Sequence, residues 1–239
     1  MTSNKFLLTV KNKFIYLILT SDSSLFKDTR CDLAFISLLL VVFRRSLKGP
    51  KSEAVKRSNS SPEIRGDEKE VEGFRLSIQS SGLFPVFLHL PYLPNIASLE
   101  SKFYKRSIDS IATDLERAEQ LGTQYLIIHI GHRLESSEDE AIDAVSHGIN
   151  QAFERMKNRI ILLLENTAGQ GTEIGNTFEQ IKKIIDGVNE NERMGICLDT
   201  AHSFEAGYDL SQKDGIERTL ESFDQTIGLK RLHLLHLND

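Results

Sequence analysis

Five polar side chains that can bind metal ions or transfer protons come at the ends of short apolar stretches in this sequence. They are His89, His129, Glu165, Asp199 and His236, and the stretches before them include YLIIH and ILLLE. Burying a carboxylate in such a place costs several kcal/mol unless it is paired or bound to a cation. A single histidine of this kind is more often a core or loop residue, but five aligned cases indicate a metal-binding pocket.

His202 lies three residues after Asp199, so both side chains can face one cavity while binding different ions. Ligand sets that mix histidine with carboxylate suit zinc, manganese or iron, and the absence of cysteine ligands favours a catalytic zinc site over a structural one. The other histidines are predicted to be structural: His132, His147 and His233. Because His233 and His236 are an odd number of residues apart, we expect them to point to opposite faces of one strand.

The hydrophobic pattern after residue 85 predicts the strands and helices that position these residues. Strands are predicted at residues 86–90, 125–130, 160–166, 195–200 and 231–237, and helices at 102–121, 137–155, 177–186 and 213–227. Apolar strands that alternate with amphipathic helices predict an α/β fold with a parallel sheet. Because every strand ends in a polar residue, a barrel with a single mouth is favoured over an open doubly wound sheet.

The N-terminal part of the chain has a different composition. Residues 33–43 are apolar but too short to span a bilayer, so a core strand is expected, and residues 14–20 lack the cleavage site of a signal peptide. Residues 46–72 are polar and predict a mobile loop with at most a turn or two of helix. We therefore expect an atypical segment at 1–75, with one or two strands and this loop, followed by a barrel domain at 76–239.

The net charge and the cysteine content indicate which partners the protein could bind and in which compartment it could fold. The net charge of −5 argues against a wholly basic nucleic-acid-binding protein, so any phosphate-binding surface would be local. Cys31 and Cys197 are far apart, and Cys197 lies within an apolar run. This usage indicates a reducing, intracellular compartment rather than a disulfide framework.

Five segments of the chain resemble those of endonuclease IV, a family of metal-dependent apurinic/apyrimidinic endonucleases. They are LENTAGQG (164–171), LDTAHSFEAGYDL (198–210), HLND (236–239), HLPYLPN (89–95) and HIGHRL (129–134). The resemblance runs from about residue 85 to 239. It implies a TIM (β/α)8-type barrel with up to three Zn²⁺ ions, or Mn²⁺, that hydrolyses the phosphodiester bond 5′ to abasic sites in duplex DNA.

The resemblance also implies roles for particular residues. His89 and His129 would bind the first ion, and Glu165, the residue expected to be essential for catalysis, would bridge the first and second. The remaining ligands would be Asp199 and His236 for the second ion and His202 for the third.

Three further residues would contact DNA by the same resemblance. Tyr92 and Leu93 occupy the family's loop that inserts into the duplex, and Arg45 is the candidate for another penetrating residue. An aromatic and an apolar wedge can replace the stacking that is lost at an abasic site.

The sequence also departs from the family pattern. The family continues after HLND with an Asp-x-His pair and a final strand bearing a glutamate, and its first strand is not recognisable in residues 1–30. We therefore expect an incomplete barrel that lacks the final strand and helices, with a third metal site reduced to His202. Two alternatives stay open: an inactive, truncated DNA-binding remnant, and a metal-dependent sugar isomerase or epimerase on the same barrel. No membrane association is expected, and the sequence leaves the oligomeric state open.

Overall fold

The protein folds around a single twisted sheet, in which parallel strands alternate with helices. The computed structural model describes residues 5–10, 13–19, 41–43, 68–81, 85–90, 94–99 and 101–238. The strands are β1 (Lys5–Val10), β2 (Lys13–Leu19), β3 (Val41–Phe43), β4 (Val86–His89), β5 (Tyr125–His129), β6 (Ile161–Glu165), β7 (Met194–Asp199) and β8 (Leu232–Leu237). The helices are α1 (Glu68–Ser81), α2 (Ser101–Leu121), α3 (Glu138–Arg155), α4 (Phe178–Asp186), α5 (Thr200–Glu205) and α6 (Lys213–Thr226).

The strand order is β1-β2-β8-β7-β6-β5-β4-β3, and β1 pairs with β2 antiparallel while every other pair is parallel. The predicted parallel α/β sheet is confirmed, and strands β4 to β8 form half of a barrel. The carboxyl ends of these strands lie at one edge, as the barrel interpretation requires.

Two apolar layers hold the half-barrel together. The larger one lies between the sheet and the helices, and includes Leu115 of α2, Phe153 of α3 and Ile181 of α4. The smaller one fills the concave side of the sheet with Phe87, Ile127, Leu163, Cys197 and Leu234. This inner layer lies directly below the strand ends and supports the side chains there.

Sequence patterns placed the strands β4 to β8 and the helices α2, α3, α4 and α6 to within two residues, and the N-caps of α3 and α4 are encoded locally. Ser137 caps α3 and forms a reciprocal capping box with Glu140. Thr177 caps α4 by accepting a hydrogen bond from the backbone N–H of Gln180.

Two helices differ from the sequence-based expectations. Helix α1 begins at Glu68, inside the polar segment expected to be a loop, and extends for fourteen residues. The short helix α5 follows β7 directly and was not predicted. The described parts of residues 1–75 include the strands β1, β2 and β3, and the expected division of the chain at residue 75 stays a prediction. Among the described helices, none combines the length and apolar character that a bilayer span requires.

Candidate metal centre

The candidate metal ligands meet where the inner face of the half-barrel opens at its mouth. His129 of β5 is in register with Glu165 of β6, and Asp199 of β7 is in register with His236 of β8. His89 ends β4 beside them, and its ring centroid is 5.1 Å from that of His129. All five strand-end residues singled out from the sequence therefore share one site.

Glu165 lies at the centre of this group and is only 1% exposed. Its Oε2 atom is 2.8 Å from Nε2 of His89 and 3.7 Å from Nε2 of His129. Its Oε1 atom is 3.1 Å from Nδ1 of His236 and 3.9 Å from Nδ1 of His202. The two carboxylate oxygens thus face different pairs of histidines.

Asp199 is the second buried carboxylate, and it is fully enclosed at 0% exposure. Its Oδ2 atom is 2.9 Å from Nδ1 of His236 and accepts a hydrogen bond from the side chain of Asn238 at 3.4 Å. Its Oδ1 atom accepts the backbone N–H of His202 at 2.9 Å, which caps the N-terminus of α5. Helix α5 therefore turns His202 back toward the carboxylates.

The electrostatics of the group are dominated by the two buried carboxylates. Burial raises the pKa of Glu165, but hydrogen bonds with His236 and His89, together with the charges of His129 and His89, hold that pKa well below its usual range. Burial lowers the pKa of His236, whereas hydrogen bonds to Asp199 and Glu165 and their charges raise it to about 9. The carboxylates thus require positive charge, which protons supply in the absence of a cation.

The pKa of His129 shifts in the opposite direction. Burial lowers it, the charge of Glu165 raises it, and the charges of the neighbouring histidines lower it further, so the net shift is downward. A neutral imidazole is the form of histidine that binds a metal ion.

The donor set fits divalent metal ions. Two groups, His89–His129–Glu165 and Glu165–Asp199–His202, each offer three ligand atoms within 4.8 Å of one another. Nδ1 of His89 is 2.8 Å from the carbonyl oxygen of Leu90 and donates a hydrogen bond to it, so Nε2, the nitrogen that faces Glu165, is the atom that would bind a metal ion. Carbonyl-bound histidines of this kind are the usual metal-binding arrangement.

The structure places His202 within the second ligand group. It lies beside both carboxylates of the second group, as expected for a residue that shares their cavity, and its assignment to a third ion stays a prediction. His236 also contacts both carboxylates.

A cavity of about 230 Å³ opens next to the ligand group. His129 and His202 form one wall, and Asn95, His132 and Glu173 contribute to the rest. The side chain of Asn95 accepts the backbone N–H of His132 and donates to its carbonyl, both at 2.9 Å. The rim is therefore fixed by hydrogen bonds between loops.

The expectation that His233 and His236 point to opposite faces is wrong. The register between β7 and β8 shifts at Ile196/Cys197, which indicates a β-bulge in β8. The ring of His233 is 5.3 Å from that of Tyr125, which packs against the inner layer, so both histidines face inward. A bulge places two consecutive residues on one face and breaks the alternation of the strand.

Sequence reasoning missed the polar residues that hold the ligands in place. Asn166 and Ser203 are buried and hydrogen-bond to Asp199, and Thr200 exchanges hydrogen bonds with the backbone of Asn238. Their only signal was their position beside the ligands. The predicted DNA-contacting residues Arg45, Tyr92 and Leu93 lie outside the described residues.

Comparisons with known proteins place the chain in a family. A family model described as a xylose isomerase-like TIM barrel matches residues 55–239. A protein named probable endonuclease 4 from Methanoculleus marisnigri is 42% identical over 167 residues, which are 70% of this chain and 59% of that protein. Another from Chlorobium phaeobacteroides is 40% identical over 174 residues, 72% of this chain and 61% of that protein.

Solved structures give the same result for the fold. The crystal structure of endonuclease IV from Thermus thermophilus is 33% identical, with a TM-score of 0.62, over 77% of this chain and 62% of that one. A D-tagatose 3-epimerase-like protein is 20% identical with a TM-score of 0.57, over 71% of this chain and 60% of that one, a likeness of fold alone. The chain spans about three-fifths of the length of the curated relatives that it matches.

Proposed function

Because the chain belongs to the xylose isomerase-like TIM barrel family, with endonuclease IV proteins among its relatives, we propose that it is a metal-dependent DNA-repair endonuclease. The proposed reaction is hydrolysis of the phosphodiester bond on the 5′ side of an abasic site in duplex DNA. The observation that carries the proposal is the pair of ligand groups that share the buried Glu165.

The ligands of the proposed site divide between the two oxygens of Glu165. His89 and His129 would hold one cation beside Oε2, and Asp199 and His236 would hold a second beside Oε1. His202, which lies next to this second group, would serve a third ion. Zinc suits this mixture of imidazole and carboxylate, and manganese is the alternative. Cations at such a site supply Lewis-acid stabilisation of the charge that develops on a phosphodiester in hydrolysis.

The chain's own residues would prepare this site before any substrate binds. The Leu90 carbonyl orients the ring of His89, and Asp199 fixes the start of α5 and therefore the position of His202. Both carboxylates are shielded from water, which strengthens their attraction for cations. Pre-organisation of this kind lowers the cost of reaching the reactive geometry.

Abasic DNA is the proposed partner, and three residues would contact it. Tyr92 and Leu93 would insert at the lesion, and Arg45 would contact the duplex as a second penetrating residue. Truncation of the wedge in a Tyr92→Ala, Leu93→Ala variant is expected to reduce the preference for abasic over intact duplex about tenfold or more, since stacking contributes about 1–3 kcal/mol per base. Equal preference in the variant and the parent, measured by binding titration, would remove these residues from the proposal.

The test is incision of a labelled duplex that contains one abasic site. The purified 239-residue chain is incubated with zinc, with manganese, or with a chelator, and the products are resolved to single-nucleotide length. Cleavage 5′ to the lesion that requires metal is expected, and an intact duplex of the same sequence is the control. Lesion-selective binding without cleavage would instead support the inactive remnant, and aldose–ketose conversion without cleavage would support an isomerase.

A further inference from the structure

Asn166 connects the residues of the second ligand group through its side chain and its backbone. We propose that it is a positioning residue, which fixes Asp199 and His202 relative to Glu165 and so builds the half of the site beside Oε1. The inference rests on the proposed function, because it concerns the same metal site.

The side-chain amide of Asn166 encloses the backbone of Asp199. Oδ1 accepts the Asp199 N–H at 2.7 Å, and Nδ2 donates to the Asp199 carbonyl at 3.3 Å and to Oγ of Ser203 at 3.0 Å. Asn166 is only 2% exposed, so water cannot replace these bonds easily. Only an amide offers both an acceptor and two donors at this place.

Ser203 closes the same network from α5. Its hydroxyl donates to the Asp199 carbonyl at 2.7 Å and accepts from Asn166. The end of β7 is thus bound to both the end of β6 and the first turn of α5. The Asp199 carboxylate, whose Oδ1 accepts the His202 N–H at 2.9 Å, is oriented by the resulting frame.

The backbone carbonyl of Asn166 determines which nitrogen of the His202 ring is engaged in a hydrogen bond. Nδ1 of His202 is 2.9 Å from this oxygen, which can only accept a hydrogen bond. Nδ1 therefore donates this hydrogen bond, and Nε2 is the nitrogen left to bind a metal ion. Since Asn166 directly follows Glu165, one short segment positions three of the proposed ligands.

The network is specific to one half of the site. The hydrogen bonds of Asn166 in the described structure all go to β7 and α5, and none goes to His89 or His129. Loss of the Asn166 side chain should therefore lower the affinity for the ion beside Oε1 and leave the affinity for the ion beside Oε2 unchanged. A purely structural residue would lower stability without this asymmetry.

Asn166→Ala tests the inference, with Asn158→Ala as the matched control. Asn158 lies before β6, at the opposite end of the sheet, and its side chain likewise bonds three partners: Leu115, Ile160 and Arg193. Zinc binding is measured by competition with a chromophoric chelator, and ligand geometry by the visible absorption of the Co²⁺-loaded protein. The readouts report on the ligands directly and not on activity.

We expect Asn166→Ala to lower the affinity for one zinc ion about tenfold or more and to alter the absorption spectrum of the Co²⁺-loaded protein. Asn158→Ala should lower stability but keep the parent's zinc affinity. If Asn166→Ala does not fold, Ser203→Ala replaces it, since that variant removes one member of the network and should still weaken the same ion.

Parent-like zinc affinity in a folded Asn166→Ala or Ser203→Ala protein would overturn the inference and leave the proposed function standing. Failure of the parent chain itself to bind zinc would overturn both. Equal weakening by Asn158→Ala would also overturn the inference, because the effect would then reflect stability alone.

Discussion

At the scale of single residues, the charge balance of Glu165 determines what the site can do. A carboxylate that is 1% exposed and stays ionised needs cationic partners, and four histidines surround it within 3.9 Å. Its position after an apolar strand was sufficient to single it out from the sequence. The division of the histidines between its two oxygens was not predictable, because it depends on the rotation of one side chain.

Glu165→Gln removes the charge while keeping the shape of the side chain. We expect metal-dependent incision to fall about a thousandfold or more, since loss of one member of a buried charged group costs about 3–5 kcal/mol. Incision is measured at saturating zinc. Glu173→Gln is the control, because Glu173 lies on the cavity rim beside His132 and outside the two ligand groups. Full activity of Glu165→Gln would contradict the bridging role.

In the metal-free chain, His236 should determine how stability depends on pH above neutrality. Its pKa rises from 6.5 to about 9 on folding, so its contribution is complete below pH 6.5 and is lost as the pH rises through 9. Glu165, with a lowered pKa, contributes above pH 4.5 and loses that contribution as the pH falls.

Urea unfolding in the presence of chelator should therefore give a free energy of unfolding that declines between pH 6.5 and 9. In His236→Gln this decline should be much shallower, whereas substitution of the exposed His147 by Gln should leave it intact. A parent-like slope in His236→Gln would show that another group is responsible.

At the scale of elements, the β-bulge in β8 shows where periodicity ceases to predict side-chain direction. The strand-end positions of His89, His129 and Glu165 were sufficient to place them together, because β4, β5 and β6 pair in regular register. The alternation rule, applied to His233 and His236, failed because a single extra residue shifts the register of β8.

The glycine opposite the bulge makes room for His233. A Cβ atom at Gly195 would lie 2.4 Å from Cδ2 of His233 and 2.6 Å from Cδ2 of Leu163. Gly195→Ala should therefore destabilise the protein by about 1–3 kcal/mol, the usual cost of overpacking a core.

The substitution Gly73→Ala should change the stability of the protein in the opposite direction. Gly73 is inside α1, where an added Cβ would meet nothing within 4 Å, so alanine should stabilise the helix by about 0.5–1 kcal/mol. Both changes in the free energy of unfolding are to be measured by urea unfolding. Unchanged stability in Gly195→Ala would mean that the inner layer can rearrange around the bulge.

The elements that sequence missed are those whose formation depends on context. Helix α1 contains Gly73 and follows a polar segment, so local propensity indicated a loop. Helix α5 is only six residues long and is nucleated by the Asp199 side chain. The longer helices carried strong periodicity, and α3 and α4 also carried their own N-caps, so these helices were predicted.

At the scale of the whole molecule, the half-barrel brings together residues that lie up to 147 positions apart, from His89 to His236. The sequence predicted this convergence because parallel strands must present their carboxyl ends at one edge. It could not predict the polar network of Asn166 and Ser203, which arises only when β6, β7 and α5 are packed together.

Incision is expected to depend on ions bound by the Glu165 cluster. The most direct measurement is a zinc titration of chelator-stripped protein, in which bound zinc and the rate of incision of an abasic duplex are determined on the same samples. The stripped chain should not incise the duplex, and the rate of incision should rise in step with zinc occupancy. Incision that is independent of bound metal, or a fully loaded and folded chain that does not cleave, would contradict this expectation.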